Sequence, residues 1–438
     1  MESCNTKSSL DLPLESLYLQ PFLQSLHKEQ WQEVRLGDSP IQIIDGDRGK
    51  NYPKHNDFLP NGYCLFLNTK NIPDSKFNFT ECQFITKDRD DMLRKGKLQL
   101  QDIVMTTRGT IGNIALYDNR VPYNHIRINS SMVILRPNID KVVSQFLLYA
   151  ILSNKENITN LVSGSAQPQL PIKDLINLTI PLPPLTIQQK IAEILSSFDD
   201  KIDLLHRQNK TLESLALTLF RHYFIDNPKR DEWKLGKLGD LLLETLAGDW
   251  GKEQQDDENG EMVYCIRGTD IADLQNGLPN KTPIRYVKHK KLMQLQPNNG
   301  DIIFEISGGT EMQSTGRCIY INNDIEKLFD APILFSNFCR LLRVKKAEYG
   351  YFLYLYLKFL YNNDEFFALE NGTSGIKNLD YKVLLYQHEY TIPNEQQIIR
   401  FHKEIEIYYY KINQNKKQIQ NLQAMRDLML RRMFESVN

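Results

Sequence analysis

Signatures of catalysis are largely missing from this sequence of 438 residues. It has no G-x-x-x-x-G-K-[ST] phosphate loop and no H-E-x-x-H zinc motif, which argues against ATP hydrolysis and zinc-dependent peptide cleavage. It also lacks the Asn-Pro-Pro-aromatic and Asp-Pro-Pro-Tyr tetrapeptides with which amino-methyltransferases hold an exocyclic amine, since the Pro-Pro pair at 183–184 is flanked by leucines. We therefore predict a binding protein without its own active site.

Metal-ligand patterns are scarce as well. The six cysteines form no C-x-x-C pair, and none lies near one of the eight histidines at metal-ligand spacing. Such isolated cysteines are typical of reduced thiols in a cytoplasmic protein, where they mostly serve core packing. We predict neither a metal nor a cofactor on this chain.

Targeting and membrane signals are also absent. The first thirty residues lack a basic region followed by an apolar run, so we expect no signal peptide. The most apolar stretch, 349–361, is too short to span a bilayer and contains Lys358. This stretch and its counterpart at 146–152 are better explained as buried helices, and we expect a cytoplasmic location.

No excess of one charge marks the chain. Lys and Arg number 53 against 54 Asp and Glu, which gives a net charge of −1. A neutral average neither requires nor excludes an anionic partner, because a basic face can be local. With 41% hydrophobic and 10% aromatic residues, the chain has the composition of a globular protein with two or three domains.

A long internal repeat is the main positive feature. Residues 31–38 (WQEVRLGD) recur as 233–240 (WKLGKLGD), and 46–50 (GDRGK) recur as 248–252 (GDWGK). Both pairs lie 202 positions apart (233 minus 31, and 248 minus 46). A repeat of this length indicates a duplicated domain rather than a solenoid unit.

The repeat continues through each half with small changes of offset. Paired segments are 102–104 with 301–303, 106–110 with 306–310, 132–136 with 338–343, and 163–168 with 371–375. Each half mixes short β-rich runs with Gly/Asn/Asp turns and a few helices, which predicts an α+β fold. Each half closes on a Gln-Gln pair that opens a long helix.

Those two helices carry sustained heptad spacing. In the first, the apolar positions are Ile187, Ile191, Ile194, Phe198, Leu205, Leu212, Leu215 and Leu219; in the second they are Ile398, Phe401, Ile405, Tyr408, Ile412, Ile419, Leu422, Met429 and Met433. Each run covers about 38 residues, roughly 57 Å at 1.5 Å per residue, which favours a coiled coil over a helix packed on its own domain. The connectivity favours antiparallel pairing, with the two domains related by an approximate two-fold axis. The polar positions Gln208 and Asn415 are expected to fix the register.

The predicted organisation has five parts. These are an N-terminal segment (1–30), a first domain (31–185), a first helix (186–228), a second domain (229–393) and a second helix (394–438).

The polar loops supply candidate nucleic-acid contacts. Phosphate binding needs backbone N–H groups, small residues that allow close approach, and cations. The first domain offers Arg48, Lys50, Thr107, Arg108, Gly109, Thr110, Arg127, Ser130 and Gln167, and the second offers Lys252, Ser307, Gly308, Gly309, Thr310, Arg317, Lys377 and Asn378. Gln167 and Asn378 also have side chains suited to reading base edges. The alternative is that these loops are ordinary surface turns.

The order of these motifs resembles the specificity (S) subunit of type I restriction-modification systems. The resemblance runs from about Trp31 to Phe434, and the stretch 180–191, with its IPLPPL hinge before the helix, is its most specific local motif. The second copy departs from the pattern, because its hinge lacks the double proline and its loop at 307–310 lacks an arginine.

The resemblance implies a non-catalytic DNA-recognition subunit. Two target-recognition domains, held apart by two antiparallel helices, would each read one half of a split site in double-stranded DNA. The helices would set the spacer and dock two methyltransferase (M) subunits, which hold S-adenosylmethionine and methylate adenine, and restriction (R) subunits would join that core. Two other functions stay open: a coiled-coil scaffold without a DNA role, and a single-chain methyltransferase or nuclease.

Overall fold

The computed structural model describes residues 20–26, 28, 31–73, 75–164, 168–279, 281–310, 313–372 and 376–434. The chain divides into two compact units, Met1–Lys201 with Gln423–Asn438, and Ile202–Leu422. Among the described residues, no helix combines the length and the apolar character needed to cross a bilayer.

The first unit is an α+β structure. Its strands are β1 (Gln32–Arg35), β2 (Ile41–Asp45), β3 (Cys64–Leu67), β4 (Phe84–Ile85), β5 (Ile103–Thr106), β6 (Ile114–Leu116), β7 (Ile126–Ile128), β8 (Met132–Pro137) and β9 (Thr179–Leu182). Its helices are α1 (Gln20–Ser25), α2 (Lys87–Met92), α3 (Ser144–Ser153), α4 (Lys155–Asn160), α5 (Ile172–Leu175) and the start of the long α6 (Leu185–Phe220).

Three sheets form this unit. An antiparallel sheet has the order β2-β8-β5-β6, a mixed sheet has the order β4-β3-β7 with β3 and β7 parallel, and β1 pairs with β9. Buried aliphatic side chains alternate between the two faces of β5, where Ile103 and Met105 join one core and Val104 joins the other. The strand is apolar throughout because both of its faces are covered.

The second unit has a similar series of elements, with three additional strands. Its strands are β10 (Lys234–Gly236), β11 (Leu242–Ala247), β12 (Glu261–Ile266), β13 (Ile284–Val287), β14 (Ile302–Glu305), β15 (Ser307–Gly308), β16 (Cys318–Tyr320), β17 (Ile333–Phe335), β18 (Cys339–Val344), β19 (Glu370–Asn371), β20 (Lys377–Leu379) and β21 (Tyr390–Ile392). Its helices are α7 (Ile271–Gln275), α8 (His289–Leu295), α9 (Asn323–Glu326), α10 (Gly350–Asn362) and most of the long α11 (Glu395–Phe434).

The sheet topology of the second unit matches that of the first strand by strand. The orders are β11-β18-β14-β16, β13-β12-β17 with β12 and β17 parallel, and β10-β21, and a small sheet β15-β20-β19 is added. The prediction of a duplicated α+β domain is therefore confirmed. The apolar helices α3 and α10 are buried, as their sequences predict.

A buried ion pair also recurs in the same place in both units. Asp102 accepts hydrogen bonds from Arg136 (Nη2–Oδ2, 2.7 Å) and from the backbone N–H of Gln99 at 2.7 Å. Asp301 likewise accepts from Arg343 (Nε–Oδ2, 3.2 Å) and from the N–H of Asn298 at 2.8 Å. Each carboxylate closes the turn that leads into β5 or β14, which explains why the Asp-Ile-Val/Ile motif is repeated.

The seam of α6 corrects part of the predicted heptad pattern. The buried positions include Leu195, Ile202, Asn209 and Ala216, each seven residues after the last, whereas Gln208 and Leu215 are exposed. The sequence pattern overlooked this set because Asn209 and Ala216 are not large apolar residues. Asn209, rather than Gln208, is the polar seam residue of this helix.

The seam of α11 follows its predicted positions more closely. Ile398, Ile405, Ile412, Ile419 and Met433 are buried, and so is Asn415. In the second unit the side-chain amide of Asn415 donates to Asn209 Oδ1 at 2.9 Å.

Both units pair the long helices in antiparallel order. In the second unit Leu205 clusters with Ile419, while the Asn209–Asn415 bond joins a later position of α6 to an earlier one of α11. In the first unit Asp199 accepts from Arg426 (Nη1–Oδ1, 2.8 Å), so a second polar residue of α11 has a partner across the seam.

Candidate nucleic-acid interface

In the first unit, the loop after β5 is anchored on the turn before β8. The N–H of Thr107 donates to the carbonyl of Ser131 at 2.8 Å, and the N–H of Gly112 donates to that of Thr106 at 2.9 Å. Gly109 adopts a φ of +72°, which favours glycine, and Arg108, Gly109 and Thr110 are exposed at the tip. A tight turn therefore presents these three predicted residues to solvent, while Thr107 is buried.

Arg108 meets the late polar loop. Its Nη2 donates to Oε1 of Gln169 at 3.1 Å, and the two residues form an isolated β-bridge. The N–H of Leu170 donates to the carbonyl of Thr107 at 2.9 Å, which fixes the approach of the two loops. Gln167, predicted for this loop, lies outside the described residues; Gln169 was not predicted, although it is two positions away.

The loop at 46–50 lies beside the same turn. Arg48 is exposed and donates through Nη2 to Asp45 Oδ1 and to the carbonyl of Ser130, both at 3.3 Å. A Cβ built at Gly46 would lie 2.3 Å from the carbonyl oxygen of Asn129, so only glycine allows this approach. Lys50 is exposed and Ser130 is half-buried.

Asp47 holds this loop in shape. Its Oδ1 accepts from the N–H of Gly49 and its Oδ2 from the N–H of Arg94, each at 2.7 Å. Partial burial opposes ionisation, but the hydrogen bonds from Arg94 and Gly49 outweigh it and lower the pKa of Asp47. Asp249 accepts from the N–H of Gly251 at 2.9 Å at the matching place in the second unit.

The turn after β3 is a further neighbour that sequence reasoning missed. Asn68 and Asn71 cap it reciprocally, and the side chain of Asn113 donates to the carbonyls of Ile72 and Pro73 at 3.1 and 2.7 Å. Lys70 is exposed on this turn and forms a 3.1 Å ion pair with the equally exposed Glu81. The reciprocal Asn-x-x-Asn cap was visible in the sequence as a signal for this turn.

Five loops thus meet in the first unit, and we call them the first loop cluster: 46–50, 68–73, 107–113, 129–131 and 163–169, with 165–167 outside the described residues.

The second loop cluster has the same members: 248–252, 267–270, 306–310, 336–338 and 370–378, with 373–375 outside the described residues. Residues of this cluster line a cavity of about 650 Å³ together with Glu305, Gln313 and Arg317. The cluster residues in its lining are Trp250, Arg267, Gly268, Thr269, Ser307, Gly308, Gly309, Thr310, Asn337 and Phe338. The structure therefore brings together five of the residues predicted for this domain.

The strand register refines the pairing of the two loops. Thr106 pairs with Met132 on β8, and Glu305 pairs with Cys339 on β18, so Thr106 and Glu305 are equivalent. This corresponds to an offset of 199 (305 minus 106) instead of the 200 implied by matching 106–110 with 306–310. Arg108 is consequently replaced by Ser307 in the second unit.

Glu305 replaces a threonine hydroxyl with a buried charge. Its carboxylate accepts from Arg317 Nε at 2.9 Å and also from Nη2, and its exposed fraction is 1%. Hydrogen bonding to Glu305 raises the pKa of the Arg317 guanidinium. A Cβ built at Gly308 would lie 2.6 Å from Glu305 Oε1, so the carboxylate packs directly against the glycine turn.

The guanidinium of Arg317 therefore makes its contacts inside the protein, and so does that of Arg127 in the first unit. Arg127 is buried, its Nε donates to Asp90, and its Nη atoms donate to the carbonyls of Lys95, Asp90 and Leu93 at 2.7, 2.8 and 3.1 Å. The structure gives both arginines an internal role, and neither is kept among the proposed DNA contacts. Sequence alone does not show which carboxylate an arginine meets.

The remaining predicted residues lie at the rim of the second loop cluster. Lys252 is exposed and its backbone pairs with Tyr286, whereas Lys377 is half-buried in a 2.9 Å ion pair with Glu370. Asn378 is exposed on β20, opposite Ser307 of β15, which is the position that Gln169 holds opposite Arg108. Thr310 is exposed beside Gln313, whose N–H donates to Thr310 Oγ1 at 3.1 Å.

Neither cluster has the character of a metal centre. Within the described parts of the chain, no three His, Cys, Asp or Glu side chains are grouped so as to hold a metal ion. The clusters combine exposed cations, amides, hydroxyls and backbone N–H groups, which are the donors that contact phosphates and base edges.

Known proteins with a similar sequence belong to one family. The family model for the "type I restriction modification DNA specificity domain" matches twice, over residues 28–214 and 230–424. The MjaIX specificity subunit of Methanocaldococcus jannaschii is 28% identical over 361 residues, covering 75% of each chain. The HindI specificity subunit of Haemophilus influenzae is 27% identical over 201 residues, covering 45% of this chain and 41% of that one.

A solved structure shows the same fold. The S subunit of a type I restriction-modification system from M. genitalium superposes with a TM-score of 0.53 at 17% identity, covering 93% of this chain and 97% of that one. Since the family model covers most of the sequence in two copies, the chain belongs to the family of type I restriction-modification DNA specificity subunits, which supply DNA recognition and not catalysis.

Proposed function

We propose that each loop cluster binds one half of a bipartite site in double-stranded DNA. The observation that carries this proposal is the repetition of one scaffold with different exposed side chains. Asp47 and Asp249 hold equivalent loops, and Gly46 and Gly248 pack equally closely on backbone, yet Arg108 is replaced by Ser307. Two copies that keep their framework and vary their tips are suited to two different half-sites.

Within each cluster, the roles divide between phosphate and base contacts. Arg48, Lys50, Lys70 and Lys252 are exposed cations suited to phosphates, and backbone N–H groups of the Gly308-Gly309 turn add neutral donors. Arg108 is suited to guanine O6 and N7, and the amides Gln169 and Asn378 are suited to adenine. The domain boundaries 31–185 and 229–393, with helical segments 186–228 and 394–438, remain part of this proposal.

The paired helices are proposed to set the gap between the half-sites and to dock two methyltransferase subunits, with restriction subunits joining the complex. Half-sites on one face of B-DNA recur about every 34–36 Å. Deleting about four residues from each helix, one helical turn, should shorten the gap by about one or two base pairs and leave both half-sites unchanged. Altered half-sites with an unchanged gap would contradict this role. A cytoplasmic location follows from the DNA substrate.

The direct experiment is a genome-wide map of methylated adenines in cells that carry this chain and its methyltransferase partner. The proposal predicts two short words separated by a fixed non-specific gap. A single uninterrupted recognition sequence would contradict the proposal, and so would the absence of methylated adenines in cells whose methyltransferase partner is active.

The scaffold alternative is tested separately. If the loops contact phosphates, retention of the purified complex on DNA should fall steeply with salt, because counterions are released on binding. Between 50 and 200 mM salt, a protein with several phosphate contacts loses a factor of about 10³–10⁵ in DNA affinity. Retention that does not change over this range would favour a scaffold without a DNA role.

A further inference from the structure

One aromatic side chain of the second loop cluster is exposed without a structural reason. Phe338 is 46% exposed, and it is the one exposed phenylalanine among those the structure describes. The other described phenylalanines are buried or half-buried. Single exposed apolar side chains are common on protein surfaces, so the place of this ring within the loop cluster, and not its exposure alone, suggests a contact with a bound molecule.

The backbone around Phe338 is tightly fixed. Its carbonyl accepts from the N–H groups of Ile306 and Ser307 at 2.9 and 3.2 Å, and the N–H of Cys339 closes the turn onto Ser336 at 2.9 Å. A Cβ built at Gly248 would lie 2.1 Å from the carbonyl oxygen of Ser336. The backbone that carries the ring is therefore held at a defined place, so binding would not have to order this segment.

The scaffold does not require an aromatic residue here. Met132 and Cys339 are equivalent because they pair with the equivalent residues Thr106 and Glu305, so the residue before each one is also equivalent. In the first unit that residue is Ser131, which supports the same loop through its carbonyl. The two units therefore share the backbone contact at this position and differ in the side chain, which is serine in the first unit and phenylalanine in the second.

The surroundings of the ring define what it can contact. Phe338 lines the 650 Å³ cavity together with Asn337, Thr269 and the glycine turn, so polar groups share the cavity with the ring. About half of the ring is covered by its own unit, and the ring faces a concave space, so it cannot slide fully between two base pairs as a wedge does. It can instead meet the edge of a base, where the exposed apolar group in the major groove is the C5-methyl of thymine.

We propose that Phe338 is a specificity-determining residue that contacts the C5-methyl group of a thymine in the half-site bound by the second loop cluster. This inference rests on the proposed function and adds one chemical feature to it. The first loop cluster, with Ser131 at this place, lacks the apolar contact and should not sense a thymine methyl there.

The test uses the complex of the full chain with its methyltransferase partner and DNA duplexes that carry the mapped site. Each thymine of the second half-site is replaced in turn by deoxyuridine, which pairs identically but lacks the methyl group. At one position the substitution should weaken binding by roughly fourfold, the usual effect of one buried methyl group. The Phe338→Ser variant should bind both duplexes equally, whereas Phe338→Leu should keep part of the discrimination.

Controls separate the possible outcomes. Met293→Ser changes another exposed apolar residue of the second unit, outside the loop cluster, and should keep the full response to deoxyuridine. Site-specific binding with no response at any thymine of the second half-site, or a response that persists in Phe338→Ser, would overturn the inference while the proposed function stands. Loss of preference for the mapped site in the unmodified complex would overturn both.

Discussion

The two loop clusters share a framework and differ in the chemistry that they expose. Around the first, Arg48, Lys50, Lys70 and Arg108 give a cationic surface, and Thr106 supports the loop through its hydroxyl. Around the second, a buried carboxylate supports the loop and an aromatic ring is exposed. The duplication therefore conserves the means of positioning a loop, while the surface available to DNA has diverged.

The largest expected effect concerns the support beneath the second loop. Glu305→Ala would leave the largely covered Arg317 without its partner, which should lower the free energy of unfolding by about 3–5 kcal/mol. Urea denaturation of the purified chain, followed by tryptophan fluorescence, measures this. The matched variant Thr106→Ala removes a neutral hydroxyl in the first unit and should cost about 1 kcal/mol. Equal losses of unfolding free energy in the two variants would contradict the conclusion that a buried charge supports the second loop and a neutral hydroxyl the first.

A smaller effect is expected where the frameworks agree. Gly248→Ala would place a Cβ 2.1 Å from backbone, and the shift that relieves this clash should cost about 1–3 kcal/mol. Gly46→Ala should behave similarly, since its Cβ would lie 2.3 Å from backbone. Gly260→Ala is the control, because its closest neighbouring atom lies 3.9 Å away. Thermal unfolding distinguishes them, and a neutral Gly248→Ala would show that the close approach is not needed.

Base recognition should be affected next, and in one cluster alone. Arg108→Gln removes the guanidinium from the first loop, which should cost about 1–3 kcal/mol of discrimination at one base pair of the first half-site. Competition binding with single-base variants of the mapped site measures the change. Lys173→Gln is a suitable control, since Lys173 is exposed on α5, outside the loops. A loss of affinity that is uniform across all sequences would instead make Arg108 a phosphate contact.

The smallest effect is expected at Lys70. Its ion pair with Glu81 is largely open to water and contributes little to stability, so the ammonium is available to a phosphate. Lys70→Gln should weaken binding of every sequence alike and reduce the slope of log K against log salt by about one. Thr269→Ala, at the matching turn of the second unit, should leave the slope unchanged. A changed base preference in Lys70→Gln would reassign this turn to base recognition.

Much of the framework was predictable because it depends on local patterns. The repeated motifs at 31–38 and 233–240 indicated the duplication, and heptad spacing placed Asn415 in the seam. In α6 the polar seam residue was predicted to be Gln208 but is Asn209, because a polar residue at a seam position interrupts the apolar pattern from which the heptad is read. The helix register is decided by the packing of Asn209 against α11, which the sequence of one helix does not show.

The sites were less predictable, since they depend on contacts between distant segments. Arg127 was predicted as a nucleic-acid contact because of its charge, but it pairs with Asp90, 37 positions away in the sequence, inside the protein. Gln169 belongs to the first cluster because a β-bridge joins it to Arg108. Lys70 belongs to it because the side-chain amide of Asn113 binds the turn on which Lys70 lies. Phe338 looked like part of an apolar strand, and its exposure follows from its place in the turn just before β18.

The central claim, that each cluster binds its own half-site, is tested most directly by one matched pair of variants. Gln169→Ala and Asn378→Ala change equivalent positions, one in each unit, and methylated adenines are mapped for both. The account predicts that Gln169→Ala relaxes only the half-site of the first cluster and Asn378→Ala only the other, with the gap unchanged. Relaxation of the same half-site by both variants would contradict it.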